Sequence, residues 1–213
     1  VTLAADAGAP ARNYAKWALI AVMAVMVVLA ISADERFLID FSDAEWKHIG
    51  NFKWWLLPHG VAGATALFLG PFQFSGRFRR NHIALHRLMG RFYIGAIVIA
   101  SLLSFYMTFY FEPREFQLEI WAQGGGWLLS AVLAFIYAVK RNITLHRQWV
   151  ARSYGFTFIF IAARAPDFWH VHWKTEADFV DFLWMLVFLA LVVPDIILQW
   201  NDLWRRRAKP RAA

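Results

Sequence analysis

Apolar residues in this chain come in runs of about twenty, broken by short stretches that hold most of the charge. Neither the strict alternation of a half-buried strand nor the narrow stripe of a surface helix fits such runs. They match the length of about 20 residues that a helix needs to cross about 30 Å of hydrocarbon. Six segments meet that requirement, at roughly 15 to 33, 54 to 75, 87 to 111, 117 to 139, 146 to 166 and 179 to 201. The expected fold is therefore all-α: a polytopic membrane protein of about six transmembrane helices in one integral membrane domain over residues 1 to 213. The apolar run from Trp17 to Ile31 is long and Ala33 leads directly into Asp34, Glu35 and Arg36 without a convincing cleavage site, so it reads as a retained anchor.

The polar stretches set an orientation. Arg77 to Arg91 holds five Arg and Lys140 to Arg152 four basic residues, with no acid in either. Asp34 to Lys53 has five acids against three bases, Glu112 to Glu119 three against one, and Arg164 to Asp181 four against two. Lys and Arg accumulate in cytoplasmic loops, so the first two stretches face inward and the other three outward. The basic tail Arg205-Arg206-Arg207 then also lies inside, which places both termini in the cytoplasm.

Composition agrees and narrows the chemistry. Of 213 residues, 60% are hydrophobic and 17% charged, too apolar for a soluble domain. The net charge of +7 reports topology rather than nucleic-acid binding, because the basic residues sit in particular loops. The absence of Cys excludes thiol catalysis, iron-sulfur clusters and thiolate metal sites, so any metal must rely on His, Met, Asp or Glu. No catalytic group is assigned.

The loops contain a repeat. Arg80-Asn81-His82-Ile83-Ala84-Leu85-His86-Arg87 resembles Arg141-Asn142-Ile143-Thr144-Leu145-His146-Arg147, and each is followed by an Arg and a Tyr: Arg91 with Tyr93, Arg152 with Tyr154. The repeated unit is a helical hairpin. Two such hairpins make a four-helix core, 54 to 166, with flanking helices at 15 to 33 and 179 to 201; parallel repeats of this kind are related by an axis along the membrane normal. His86 and His146 are then expected at equal depth, facing one another.

Paired imidazoles across a bundle suit the axial positions of a b-type haem, with Arg87, Arg91, Arg147 and Arg152 available to its propionates. Small neighbours, Gly90 after His86 and Val150 and Ser153 after His146, would admit a planar macrocycle. His82 and His86, at i and i+4, with His146 form a second candidate, a three-ligand metal site. The plain alternative is interfacial His and Arg bound to lipid phosphate. His59 stands inside the second segment, beside the small residues Gly60, Ala62, Gly63 and Ala64; it is either a cofactor ligand or a packed residue held by a backbone carbonyl. At the matching place in the fourth segment lie Gln117, Trp121 and Gln123 and no His, so one haem is expected rather than two. Met107, Met185, His170 and His172 leave a less symmetric pairing open. Gly124-Gly125-Gly126 marks either a tight helix crossing or a broken helix. Arg164 with Asp167 reads as an i, i+3 pair, and Phe168 to Trp173 as an aromatic belt.

The combination of His59-Gly60, Gly70-Pro71-Phe72-Gln73-Phe74, Leu85-His86-Arg87, Gly90-Arg91-Phe92-Tyr93, His146-Arg147-Gln148-Trp149 and Arg152-Ser153-Tyr154 resembles the predicted bacterial membrane proteins of domain-of-unknown-function family 2306. The resemblance covers about residues 54 to 165. It implies a multi-span protein of a bacterial inner membrane and brings no activity with it. In arrangement the core is also similar to six-span b-type cytochromes, although the missing His in the fourth segment departs from their four-ligand pattern. Two functions are therefore expected in competition. One is a haem electron-transfer module linked to quinone or to a partner complex. The other is a non-enzymatic accessory subunit of a respiratory or photosynthetic membrane complex, or a lipid-binding protein. Transport has less behind it, since no acidic relay runs through the segments.

Overall fold

The computed structural model describes residues 49–164, 166, 173 and 175–207, with a few isolated positions between 21 and 46. The expected first span, 15 to 33, lies almost wholly outside the described residues, as do Asp167, His170 and His172. After a single 3-10 turn at Gly50–Phe52, the described chain runs through α1 (Lys53–Gln73), α2 (Gly76–Asn81), α3 (Ile83–Phe111), α4 (Arg114–Val139), α5 (Ile143–Ala163) and α6 (Glu176–Arg207). No strand occurs among the described residues. Five of these elements coincide with expected spans to within a few residues, and α2 is a one-turn helix inside the basic connection.

Among the described residues, three helices are long and apolar enough to cross a membrane: Ile83–Phe111, Arg114–Val139 and the Glu176–Gln199 part of α6. Their outer faces show why they need lipid. Leu102, Leu129 and Phe188 are each more than half exposed, and together with Phe68 and Phe92 they form an apolar surface that water would not tolerate.

Local signals set the helix ends. Ser75 caps α2 by accepting from the Phe78 N–H, and Asn142 caps α5 by accepting from the Leu145 N–H. Arg141, at φ 56°, makes the left-handed turn between α4 and α5. Pro113 precedes α4, where its missing N–H costs nothing.

The helices form two antiparallel hairpins, α1 with α3 and α4 with α5. Contacts of α3 with α4 and of α1 with α5 join the hairpins into a four-helix core, and α6 lies along α5 and touches α4. Helices α3 and α5, which carry the repeated motif, stand on a diagonal of that core.

Close packing comes from small residues. The Gly124-Gly125-Gly126 run lies within the unbroken helix α4, so the broken-helix alternative does not hold. A Cβ on Gly124 would meet the Phe105 ring at 2.8 Å and one on Gly126 the Phe156 ring at 2.5 Å, whereas Gly125 faces open space. Two of the three therefore serve a tight crossing. A close backbone approach joins α5 and α6, where a Cβ on Gly155 would lie 2.6 Å from the Ala190 carbonyl oxygen. Pro194, four residues on, has no N–H to offer that carbonyl, so the turn of α6 that meets Gly155 is the one its own helix leaves open. Gly155→Ala is expected to lower stability by about 1–3 kcal/mol, the usual cost of an overpacked contact. Gly125→Ala should be nearly neutral; thermal unfolding of both variants in detergent checks the contrast.

Candidate functional site

The site is assembled from the basic end of the bundle upward. His86 and His146 are each the fourth residue of their helix, α3 and α5. Each closes its first turn in the same way, the His86 N–H on the His82 carbonyl and the His146 N–H on the Asn142 carbonyl, both at 2.9 Å. The two imidazoles are within electrostatic range of one another, and Arg79 and Arg87 act on His86 as well. His146 Nδ1 lies 2.8 Å from the Ala134 carbonyl of α4. A carbonyl only accepts, so in the neutral ring Nδ1 carries the proton and Nε2 keeps its lone pair. His86 Nδ1 and the amide Nε2 of Gln73 are both buried with no hydrogen-bond partner among the described residues. Gln73 also reaches the same stretch of α3, since a Cβ on Gly90 would lie 3.2 Å from its Oε1.

Farther from the basic end, a hydrogen-bonded chain crosses the diagonal. The Tyr93 hydroxyl lies 2.9 Å from Ser153 Oγ and 3.4 Å from Thr157 Oγ1; Thr157 donates to the Ser153 carbonyl and accepts from the Trp127 indole N–H at 2.9 Å. Tyr154, the counterpart of Tyr93 in the repeat, turns to α1 and donates to the Leu67 carbonyl at 3.2 Å. That carbonyl is free because Pro71 sits four residues later without an N–H. Gly70 makes the contact, since any Cβ there would fall inside the Tyr154 ring.

The opposite half of the bundle holds a cavity of about 680 Å3. His59 lines it and donates from Nδ1 to the Ala100 carbonyl of α3 at 2.9 Å, so its Nε2 is also left as an acceptor. In α4, next to the cavity-lining Ile120, Glu119 is 1% exposed and neither of its carboxylate oxygens has a hydrogen-bond partner among the described residues.

Residues 56–201 match the family described as Predicted membrane protein (DUF2306). The chain belongs to that family. No curated protein and no solved structure matches it. The DUF2306 match takes in Gln73, His86 and His146 at one end of the bundle and His59 and Glu119 at the other.

Within this DUF2306 core the structure brings His86 and His146 together with Gln73, and keeps His59 apart in the other half. Arg87, Arg91 and Arg147 are exposed around the basic end. Arg152 is not available to a propionate: its guanidinium pairs with Asp195 of α6 at 2.8 Å and lies over the Trp149 ring. His82 does not share a helical face with His86, because it is the residue between α2 and α3, with φ −138° and ψ 59°, and its ring packs on Phe78. No group of three His, Asp or Glu that would hold a metal occurs among the described residues, so the three-histidine site is not formed. The opening expected beside Gly90 is taken by Gln73.

Two residues escaped the sequence reading. Glu119 follows His59 by sixty residues, the interval that separates His86 from His146, so the repeat offset alone points to it. Gln73 stood inside a quoted motif, but its unpartnered amide appears only once α3 is placed beside it.

The proline-freed carbonyl gives a test of the packing around this site. Tyr154→Phe should cost about 1–3 kcal/mol, because it leaves the Leu67 carbonyl unsatisfied. In a Pro71→Ala background, where a backbone N–H is restored, the same change should cost clearly less; a double-mutant cycle of thermal unfolding measures the coupling.

Proposed function

We propose that this protein is a membrane electron-transfer module that holds one b-type haem at its basic end, between His86 and His146. The observation that carries the reading is the pair itself: two imidazoles in equivalent first turns of diagonally opposed helices, within electrostatic range, one of them locked by Ala134 with Nε2 free. A ligating His commonly donates its other ring nitrogen to a carbonyl in this manner. The residues around it fit the group's acidic edge. The unpartnered Gln73 Nε2 would donate to a carboxylate oxygen, and Arg87, Arg91 and Arg147 supply exposed cations. Tyr93 with Ser153 closes the diagonal two turns above His86 and bounds the space on that side. Bound iron would carry one electron at a time between ferrous and ferric states.

The membrane arrangement is part of the same proposal: a bacterial cytoplasmic membrane, six spans and both termini inside. Helices α1 and α5 are shorter and more polar than the three most apolar ones. At 21 residues each they still reach about 30 Å, α1 packing on α3 and α5 lying between α4 and α6. The basic connections lie together at the His86 end, as a cytoplasmic face requires. Electron exchange with quinone or with a respiratory or photosynthetic complex would use this end.

Purified protein is expected to show a reduced-minus-oxidised b-type spectrum that is lost in His86→Ala and in His146→Ala. Arg152→Gln, whose side chain serves Asp195 instead, should keep it. A folded, colourless preparation from haem-replete cells would overturn the reading and leave the imidazoles and arginines to lipid phosphate.

A further inference from the structure

The cavity in the half of the bundle away from the basic end has a built polar interior that the haem reading does not use. Its volume, about 680 Å3, lies within the range of about 300–1,000 Å3 typical of small-molecule sites. Most of its wall is apolar and much of it aromatic, with Phe156 and Phe160 from α5 and Trp127 from α4. The polar atoms divide into two kinds. Trp127 and Thr157 are committed, to one another and to the Tyr93 hydroxyl. Arg164 is engaged as well, its guanidinium over the Phe160 ring. His59, Gln123 and Ser104 remain: His59 donates its Nδ1–H to the Ala100 carbonyl and keeps a lone pair on Nε2, and neither the Gln123 amide nor the Ser104 hydroxyl makes a hydrogen bond to a described residue.

That combination selects a ligand. Nε2 of neutral His59 only accepts, so the group that meets it must donate. At His59 Nε2 an ionised fatty acid would set lone pair against lone pair, and a phospholipid tail brings no donor at all. Gln123 both donates and accepts, so it serves a second oxygen on the same molecule. Aromatic walls favour a flat ring between them. We infer that this cavity binds the ring of a hydroquinone-headed membrane amphiphile, one hydroxyl donating to His59 Nε2 and the other oxygen meeting Gln123.

Helix geometry also supplies a way to close the cavity without breaking the fold. Gly63 lines it, and a Cβ built there meets nothing within 4 Å, so a larger side chain enters empty space rather than a neighbour. The inference is independent of the iron, because binding is read without any spectrum.

The experiment uses the full chain in nanodiscs of dioleoylphosphatidylcholine, with a decyl-tailed benzohydroquinone and its dimethyl ether, which has the same ring and no donor. Equilibrium binding should be saturable at one hydroquinone per chain, with the ether weaker by about tenfold or more. His59→Phe should bring the hydroquinone down to the level of the ether. Gly63→Leu should weaken both ligands. Should His59→Phe fail to fold, the ether comparison on the unaltered protein and the Gly63→Leu variant still decide. Equal affinity for hydroquinone and ether, or undiminished binding to folded Gly63→Leu, overturns the inference.

Discussion

Inside a bilayer no water is at hand to satisfy a backbone carbonyl that its own helix has left free, and two prolines place such carbonyls in the middle of this bundle. Pro71 frees Leu67 and Pro194 frees Ala190. Helix α5 meets both. Its Tyr154 hydroxyl donates to the first, and its Gly155 lets the backbone come against the second. These are consecutive residues, so one turn of α5 is tied to α1 on one side and to α6 on the other. Apolar packing alone would not fix that arrangement, because lipid tails are as good a solvent for Leu and Phe as other helices are. The Arg152–Asp195 ion pair then holds the same turn of α5 to the residue after Pro194.

With α5 fixed in rotation, its other faces are determined. Ser153 and Thr157 turn to the centre, where Tyr93 reaches them from α3 across the diagonal and Trp127 joins from α4. His146, two turns earlier, is carried to the Ala134 carbonyl and toward His86. The geometry of the basic end thus follows from hydrogen bonds made farther inside. The same chain of hydroxyls ends at Thr157 and Trp127 in the wall of the opposite cavity, so one polar network separates the two ends of the bundle and takes part in both.

The long elements were legible because a span of twenty apolar residues has few other uses: α1, α3, α4 and α5 begin and end within four residues of where hydropathy places them, and α6 runs on to Arg207, six residues past its expected end. Equivalent placement of His86 and His146 was legible through the repeat. What failed depended on information that periodicity does not hold. His82 and His86 have helical spacing, but the helix begins at Ile83, so four residues of separation do not make a shared face. Arg152 looked free beside His146 until α6 brought Asp195 from 43 positions away. Glycine beside His86 suggested room for a flat ring, yet space next to a glycine belongs to whichever side chain reaches it first, and here that is Gln73. Glu119 carries no histidine signature at the place that corresponds to His59, because the two hairpins have diverged there in residue type.

That divergence bears on what each end of the bundle can do. At the basic end the duplicated hairpins keep like groups in like places, a His in each, and a ligand with two equivalent positions on opposite sides is the natural occupant. At the other end one hairpin contributes His59, satisfied through Ala100, and the other a buried carboxyl at Glu119 with no hydrogen-bond partner among the described residues. A buried carboxyl left without a partner is costly, so the group calls for a donor or a cation. The end without like groups offers an acceptor imidazole at His59 and, at Gln123, an amide that both donates and accepts, and the two hydroxyls of the proposed hydroquinone head can meet both.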